Sequence, residues 1–187
     1  MATTHSSTSK SAANRKSASS RAKSTTRKTA ASSREKDAIQ LLKSDHREVE
    51  KLFKQFQDAS EDERRMQLCE QICMELMAHT EIEEEIFYPT CRQFLKDDEI
   101  VNEALVEHQA AKDLIEEIRS MDASDEMFDA RMQVLQEQIE HHVEEEEKEL
   151  FPNVQKSDMD LKNVGQQLME RKKALQARMK TGSMAMH

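Results

Sequence analysis

From position 38 onward, apolar residues recur at alternating steps of three and four, the spacing that lines one face of a helix. The first series is Ile39, Leu42, His46, Val49, Phe53 and Phe56. The second is Cys69, Ile72, Leu76, His79, Glu83 and Ile86. A third runs Val101, Ala104, His108, Ala111, Ile115 and Ile118, and a fourth Met132, Leu135, Ile139, His142 and Glu146, with Leu150 near its end. Flanking positions are mostly charged or polar, so each series predicts a helix with one buried stripe. Asp37 or Ser44 is expected to start the first helix and Asp125 to open the fourth. Polar breaks near residues 58–63, 89–98 and 121–125 separate the segments. Connections this short join antiparallel neighbours, which predicts an all-α fold: an antiparallel, up-down-up-down four-helix bundle. Leu161, Val164, Leu168 and Leu175 continue the helical spacing, weakened at Gly165. They predict a C-terminal extra helix that either caps the bundle or faces another subunit.

Composition agrees with long helices and few turns: two Gly, two Pro, no Trp and 35% charged residues. It also divides the chain. Residues 1–34 hold eight Lys or Arg and no Asp or Glu, and no Val, Leu, Ile, Phe or Tyr precedes Ile39. Such a segment buries too little apolar surface to offset its ordering entropy, so a disordered N-terminal tail is expected. The remainder carries 20 basic and 37 acidic residues, a charge of opposite sign. The expected layout is a basic tail over 1–35, a bundle over 36–155 and a helical extension over 156–187. Three readings of the tail stand side by side: a solvated extension, an arm making non-specific nucleic-acid contacts through residues 1–34, or a transit peptide. The last has the charge bias but lacks an apolar face.

Three cysteines, Cys69, Cys73 and Cys91, together with no apolar leader, point to a reducing, cytoplasmic setting. Cys69 and Cys73 read as small buried hydrophobes, with a redox pair as the alternative. No uncharged apolar run approaches the roughly 18 residues a membrane span needs, so no membrane partner is expected. Neither a Gly-rich phosphate loop nor a nucleophile elbow occurs, which removes NTPase and serine-hydrolase chemistry.

Polar residues interrupt the apolar stripes at His46, His79, Glu83, His108, His142 and Glu146. An ionised glutamate among Leu and Ile is costly without a partner. Here that happens twice, each time four residues after a histidine, where the side chains share a helix face. A metal ion is a common partner for all six. Neutral imidazole and carboxylate suit Fe, Zn and Mn, and four nitrogens with two carboxylates suit two ions bridged by the carboxylates. A core polar network without metal is the competing reading. His141 falls off the stripe and reads as a surface group, with an extra or substitute ligand as the alternative. The acidic neighbours Glu81, Glu84, Glu85, Glu144, Glu145 and Glu147 read mostly as solvated charge.

The site lies in an internal repeat. Residues 79–89 read HTEIEEEIFYP and residues 142–152 read HVEEEEKELFP, and the lone His46 and His108 precede them at nearly equal distances. Pro89 and Pro152, at matched places, are expected to end their helices just beyond the site. Two helical hairpins related by duplication would build two equivalent half-sites.

Over roughly residues 37–155 these motifs resemble the hemerythrin-like, HHE cation-binding family. The carriers are His46 in DHREVEKLF, His108 in EHQAAKDLI, and the two His-x-x-x-Glu segments. The resemblance implies a four-helix bundle around an oxo- or hydroxo-bridged pair of iron ions. Glu83 and Glu146 would be the bridging ligands, and zinc or manganese the alternatives to iron. Oxygen-carrying members add a histidine where this chain has Lys112, and use an aspartate where it has Glu147. The resemblance therefore implies an open position that binds or reacts with O2, peroxide or NO, in sensing or detoxification, rather than simple oxygen transport. Whether that makes an enzyme is left open. An iron store or sensor tethered to DNA by the tail is one alternative, and a zinc-stabilised interaction module another. Oligomeric state is not read from the sequence.

Overall fold

The computed structural model describes residues 36–96 and 99–184. Residues 1–35, on which the expectations of a disordered tail and a nucleic-acid arm rest, lie outside the described residues. Helix α1 (Ala38–Asp58) starts at Asp37, whose carboxylate accepts from the Gln40 amide at 2.9 Å while the Gln40 side chain accepts from the Asp37 N–H. That reciprocal capping box satisfies two amides that the first turn leaves unbonded, and it selects Asp37 over Ser44. Helix α2 (Asp62–Ile82) runs into a π-helical turn (Glu83–Phe87) and then α3 (Tyr88–Phe94). Helix α4 is Glu99–Arg119; α5 (Phe128–Glu145) continues through a second π turn (Glu146–Leu150) into α6 (Phe151–Gln155). Helix α7 (Leu161–Met184) follows. No strand occurs among the described residues, and the fold is an all-α bundle.

Pro89 and Pro152 do not end their helices. A proline has no N–H for the carbonyl four residues back, and its ring crowds that carbonyl. Both helices answer by widening one turn: the Tyr88 N–H bonds the Glu83 carbonyl and the Phe151 N–H bonds the Glu146 carbonyl, five residues back. The extra residue slips the register. Ile86, expected on the stripe, is half-buried, while Phe87 and Tyr88 are buried in its place. At the start of α5 the cap residue is Met127, and Asp125 sits in the preceding turn, accepting from the Asp122 amide.

Helix α1 packs on α2, α4 packs on α5, and α7 lies along α1 and α2. Along α1, Ile39 and Leu42 belong to one apolar cluster, and Val49, Phe53 and Phe56 to a second. Leu76, Ala111 and Ile139 join the second cluster, and Ala78, Val101 and Leu150 the first. His46, His79, His108 and His142 fall in the layer between. Each bundle helix therefore carries apolar residues on both sides of one polar layer. Val164, Leu168 and Leu175 of α7 extend the first cluster.

Candidate metal centre

The polar layer brings together all six residues that interrupt the stripes. His46 comes from α1, His79 from the last turn of α2, His108 from α4 and His142 from α5, while Glu83 and Glu146 each open a π turn. All are between 0 and 5% exposed. His79 Nε2 lies 3.1 Å from Glu83 Oε2, and His46 Nε2 lies 3.3 Å from Glu146 Oε2. The Nε2 atoms of His108 and His142 face each other at 3.1 Å, with Glu83 Oε2 3.5 Å from the former. Ligand-type atoms fall into two groups, each within 4.8 Å: His46, His79, Glu83 and Glu146, and Glu83, His108 and His142. Glu83 belongs to both.

The outward nitrogen of each ring meets a carboxylate. Glu147 lies 3.0 Å from His46 Nδ1, Glu84 3.0 Å from His108 Nδ1, and Glu107 2.8 Å from His142 Nδ1. Asp45 stands 3.7 Å from His79 Nδ1, an ion-pair distance rather than a hydrogen bond, and Lys172 of α7 holds it at 2.9 Å. An ionised carboxylate only accepts, so Nδ1 is the donor and the lone pair of a neutral ring is on Nε2. Inward-facing lone pairs oriented by outer carboxylates are the arrangement of metal-binding histidines. The four outer acids follow the repeat. Asp45 and Glu107 precede His46 and His108; Glu84 and Glu147 follow Glu83 and Glu146.

The electrostatics inside the layer suit a cation. His46 Nε2, His79 Nε2, both oxygens of Glu83 and Glu146 Oε2 are buried without a hydrogen-bond partner. Leaving such groups unsatisfied is expensive. Burial and the charge of Glu146 push the Glu83 carboxyl far above its ordinary range. Burial opposes ionisation of Glu146 too, but the surrounding His142, His46 and His79 hold it down. Burial lowers His79 to about 4 and lowers His108, whereas for His142 the Glu107 bond and nearby carboxylates outweigh burial. Two buried carboxylates with inward imidazole lone pairs fit cations of the Fe, Mn or Zn type.

Two residues flagged by the resemblance point elsewhere. Lys112 Nζ lies 2.6 Å from Glu84, and Glu147 is shared between His46 and Arg47. His141 is 64% exposed and faces Glu107 and Glu145 at the surface. Cys69, Cys73 and Cys91 are buried and free, packed among apolar residues. Stripe reasoning missed Asp45, Glu84, Glu107, Glu147 and Tyr88. Their acidic character had the look of surface charge; their matched placement in the repeat was the available signal for the four acids. Buried Tyr88 donates from its hydroxyl to Glu146 Oε1 at 3.0 Å and lies 3.2 Å from His108 Nε2.

A cavity of about 10 Å³ adjoins the layer, lined by the four histidines and by Val49, Leu76, Ile139 and Val143, among others. That volume holds one water-sized molecule. On the outer side of His46 a groove runs between α1 and the α5 rod, flanked by Phe53, Ile139 and Val143. No helix among the described residues is long and apolar enough to cross a membrane.

Known proteins are similar to this chain in sequence or in fold. A "DNA nickase" of a Nostoc species is 32% identical over 111 residues, covering 59% of this chain and 31% of that protein. An uncharacterized hemerythrin-like protein of Schizosaccharomyces pombe is 26% identical over 114 residues, 60% of this chain and 56% of that protein. The chain thus spans about a third and about half of the lengths of these curated relatives. The crystal structure of a hemerythrin HHE cation-binding domain-containing protein from Mycobacterium kansasii superposes with a TM-score of 0.67 at 22% identity. That likeness covers 76% of this chain and 89% of the other, and it concerns the fold. The family model of the hemerythrin HHE cation binding domain matches residues 37–154. With most of the bundle inside that match and the His/Glu layer at its centre, the chain belongs to the hemerythrin HHE cation-binding family.

Proposed function

We propose that the protein holds two iron ions in the polar layer and uses them to bind or react with O2, peroxide or NO, in sensing or detoxification. His46, His79, His108 and His142 would supply the nitrogens, with Glu83 and Glu146 between the ions. The observation that carries this reading is the set of buried, unpartnered Nε2 and carboxylate atoms converging on one layer. A bound iron pair would supply electrons for reduction of a small oxidant. The chain's residues do the remaining work. Outer carboxylates fix the rings, the two apolar clusters exclude bulk water, and the cavity beside the histidines has room for one water-sized molecule and none for a large substrate. On this reading residues 36–155 carry the chemistry, and the following helix supports them through Lys172 and Asp45.

Anaerobic purification followed by metal analysis and visible spectroscopy tests the reading. Two irons per chain and a spectrum altered by O2, peroxide or NO are expected. Glu83→Ala and Glu146→Ala should each lose metal, whereas exposed Glu144→Ala should not. Retained zinc with no spectral response would sink the proposal.

A second reading adds nucleic acid. It rests on the similarity to the Nostoc protein named a DNA nickase and on the eight cations of residues 1–34. The bundle would then store or sense iron while the basic segment contacts phosphates. Removing residues 1–34 should abolish salt-sensitive DNA binding and leave metal content unchanged; equal binding by both forms excludes the arm.

A further inference from the structure

The two halves of the polar layer match residue for residue except at one oxygen. His79 pairs with His142, Glu83 with Glu146 and His46 with His108, and each repeat ends in an aromatic residue before proline: Tyr88 and Phe151. Those aromatics occupy equivalent places. The Phe151 ring stacks on His46 with centroids 5.8 Å apart, and the Tyr88 ring lies against His108 at 5.4 Å. Only Tyr88 carries a hydroxyl, and it is directed into the layer, 3.2 Å from His108 Nε2 and 3.0 Å from Glu146 Oε1.

The ligand groups are unequal in the complementary sense. One gathers four residues, His46, His79, Glu83 and Glu146; the other gathers three, Glu83, His108 and His142. Glu146 reaches the second group less closely, its Oε2 lying 3.8 Å from His142 Nε2 against 3.3 Å from His46 Nε2, and that looser half is the one into which the phenol points. Packing alone does not call for an oxygen here, because Phe151 fills the matched position without one, and the bond to Glu146 Oε1 holds the hydroxyl among the ligand-type atoms.

We propose that Tyr88 Oη is a ligand to the ion held by Glu83, His108 and His142, which makes the two metal positions chemically different. This rests on the di-iron reading above. Ligation replaces the O–H bond with an O–metal bond, the proton passes to solvent, and nothing is oxidised. An anionic oxygen donor favours ferric over ferrous iron, so the ion beside Tyr88 is the harder of the two to reduce. Tyr88 thereby gives an otherwise twofold centre one ion that differs from the other.

The chain contains a single tyrosine, so any tyrosine–iron signal belongs to Tyr88. The full-length protein, loaded anaerobically with ferrous iron and then oxidised, is compared with Tyr88→Phe by metal analysis, visible absorption and resonance Raman spectroscopy. Wild-type protein is expected to show a phenolate-to-ferric charge-transfer band with enhanced tyrosine ring modes. Tyr88→Phe should lose both, and its iron should be reduced at a more positive potential. Two irons in the wild type without tyrosine modes, or an unchanged spectrum in Tyr88→Phe, overturns the ligand assignment and leaves the di-iron reading standing. Wild-type protein that takes up no iron overturns both. Should Tyr88→Phe fail to hold iron, the wild-type Raman spectrum alone decides.

Discussion

Each histidine of the layer has two jobs on its two nitrogens, and separate residues serve them. Nε2 faces the centre, while Nδ1 is tied to Glu147, Glu84 or Glu107, or faces Asp45. The bond to His108 is the chief cause that lowers the Glu84 carboxyl, and the bond to His142 does the same for Glu107. These acids therefore stay ionised and hold the ring in one tautomer. Glu84→Ala or Glu147→Ala should weaken metal affinity by about 10–100-fold without abolishing binding. Competition with a chromophoric chelator measures it. Affinity unchanged from wild type would make these acids ordinary surface charge.

At the scale of helices, the π turns aim the site. In an uninterrupted α-helix the residue five positions after Glu83 points about 140° away from it. The widened turn instead places Tyr88 beside the same centre as Glu83. Because Pro89 enforces the widening, Pro89→Ala should let the turn relax to α-helical register. Far-UV circular dichroism should then stay the same and metal-free stability should not fall, while metal per chain drops. The other close fit is between α7 and the start of α1. A Cβ on Gly165 would come within 2.7 Å of Ala38 N and Asp37 C, and 2.8 Å of Lys36 O. Alanine gains about 1 kcal/mol of helix propensity, but backbone atoms cannot rotate aside as side chains do. Gly165→Ala should therefore destabilise the fold by about 1–3 kcal/mol, read as a lower urea midpoint. A raised midpoint would show that α7 is free to shift.

For the molecule as a whole, the polar layer is a weak plane between two apolar clusters unless a cation fills it. Buried carboxylates and lone pairs oppose folding, and anything that binds them only in the native state adds stability by mass action. Chelating the metal should lower Tm while the helices persist, because the clusters on either side remain. At free ion about 1,000 times Kd the difference is about 4 kcal/mol. Equal Tm with and without metal would mean that the layer is satisfied by protons alone.

Local spacing carried much of this in the sequence. The stripes named the bundle helices, and the polar residues that interrupt them are the ones that meet in the layer, since a helix keeps residues three and four apart on one face. The repeat already carried the twofold arrangement of the centre. Tertiary structure decided the rest. Ile86 gave way to Phe87 and Tyr88 because a proline widened one turn and slipped the register. Glu84 and Glu147 became ring anchors rather than solvated charge, and Glu107 joined them, because a neighbouring helix brought a histidine to each. Gly165, which weakens a helix by itself, proved to be the contact that lets α7 approach the backbone of α1. Periodicity along one helix fixes which way a side chain faces; what it meets there depends on how the helices pack.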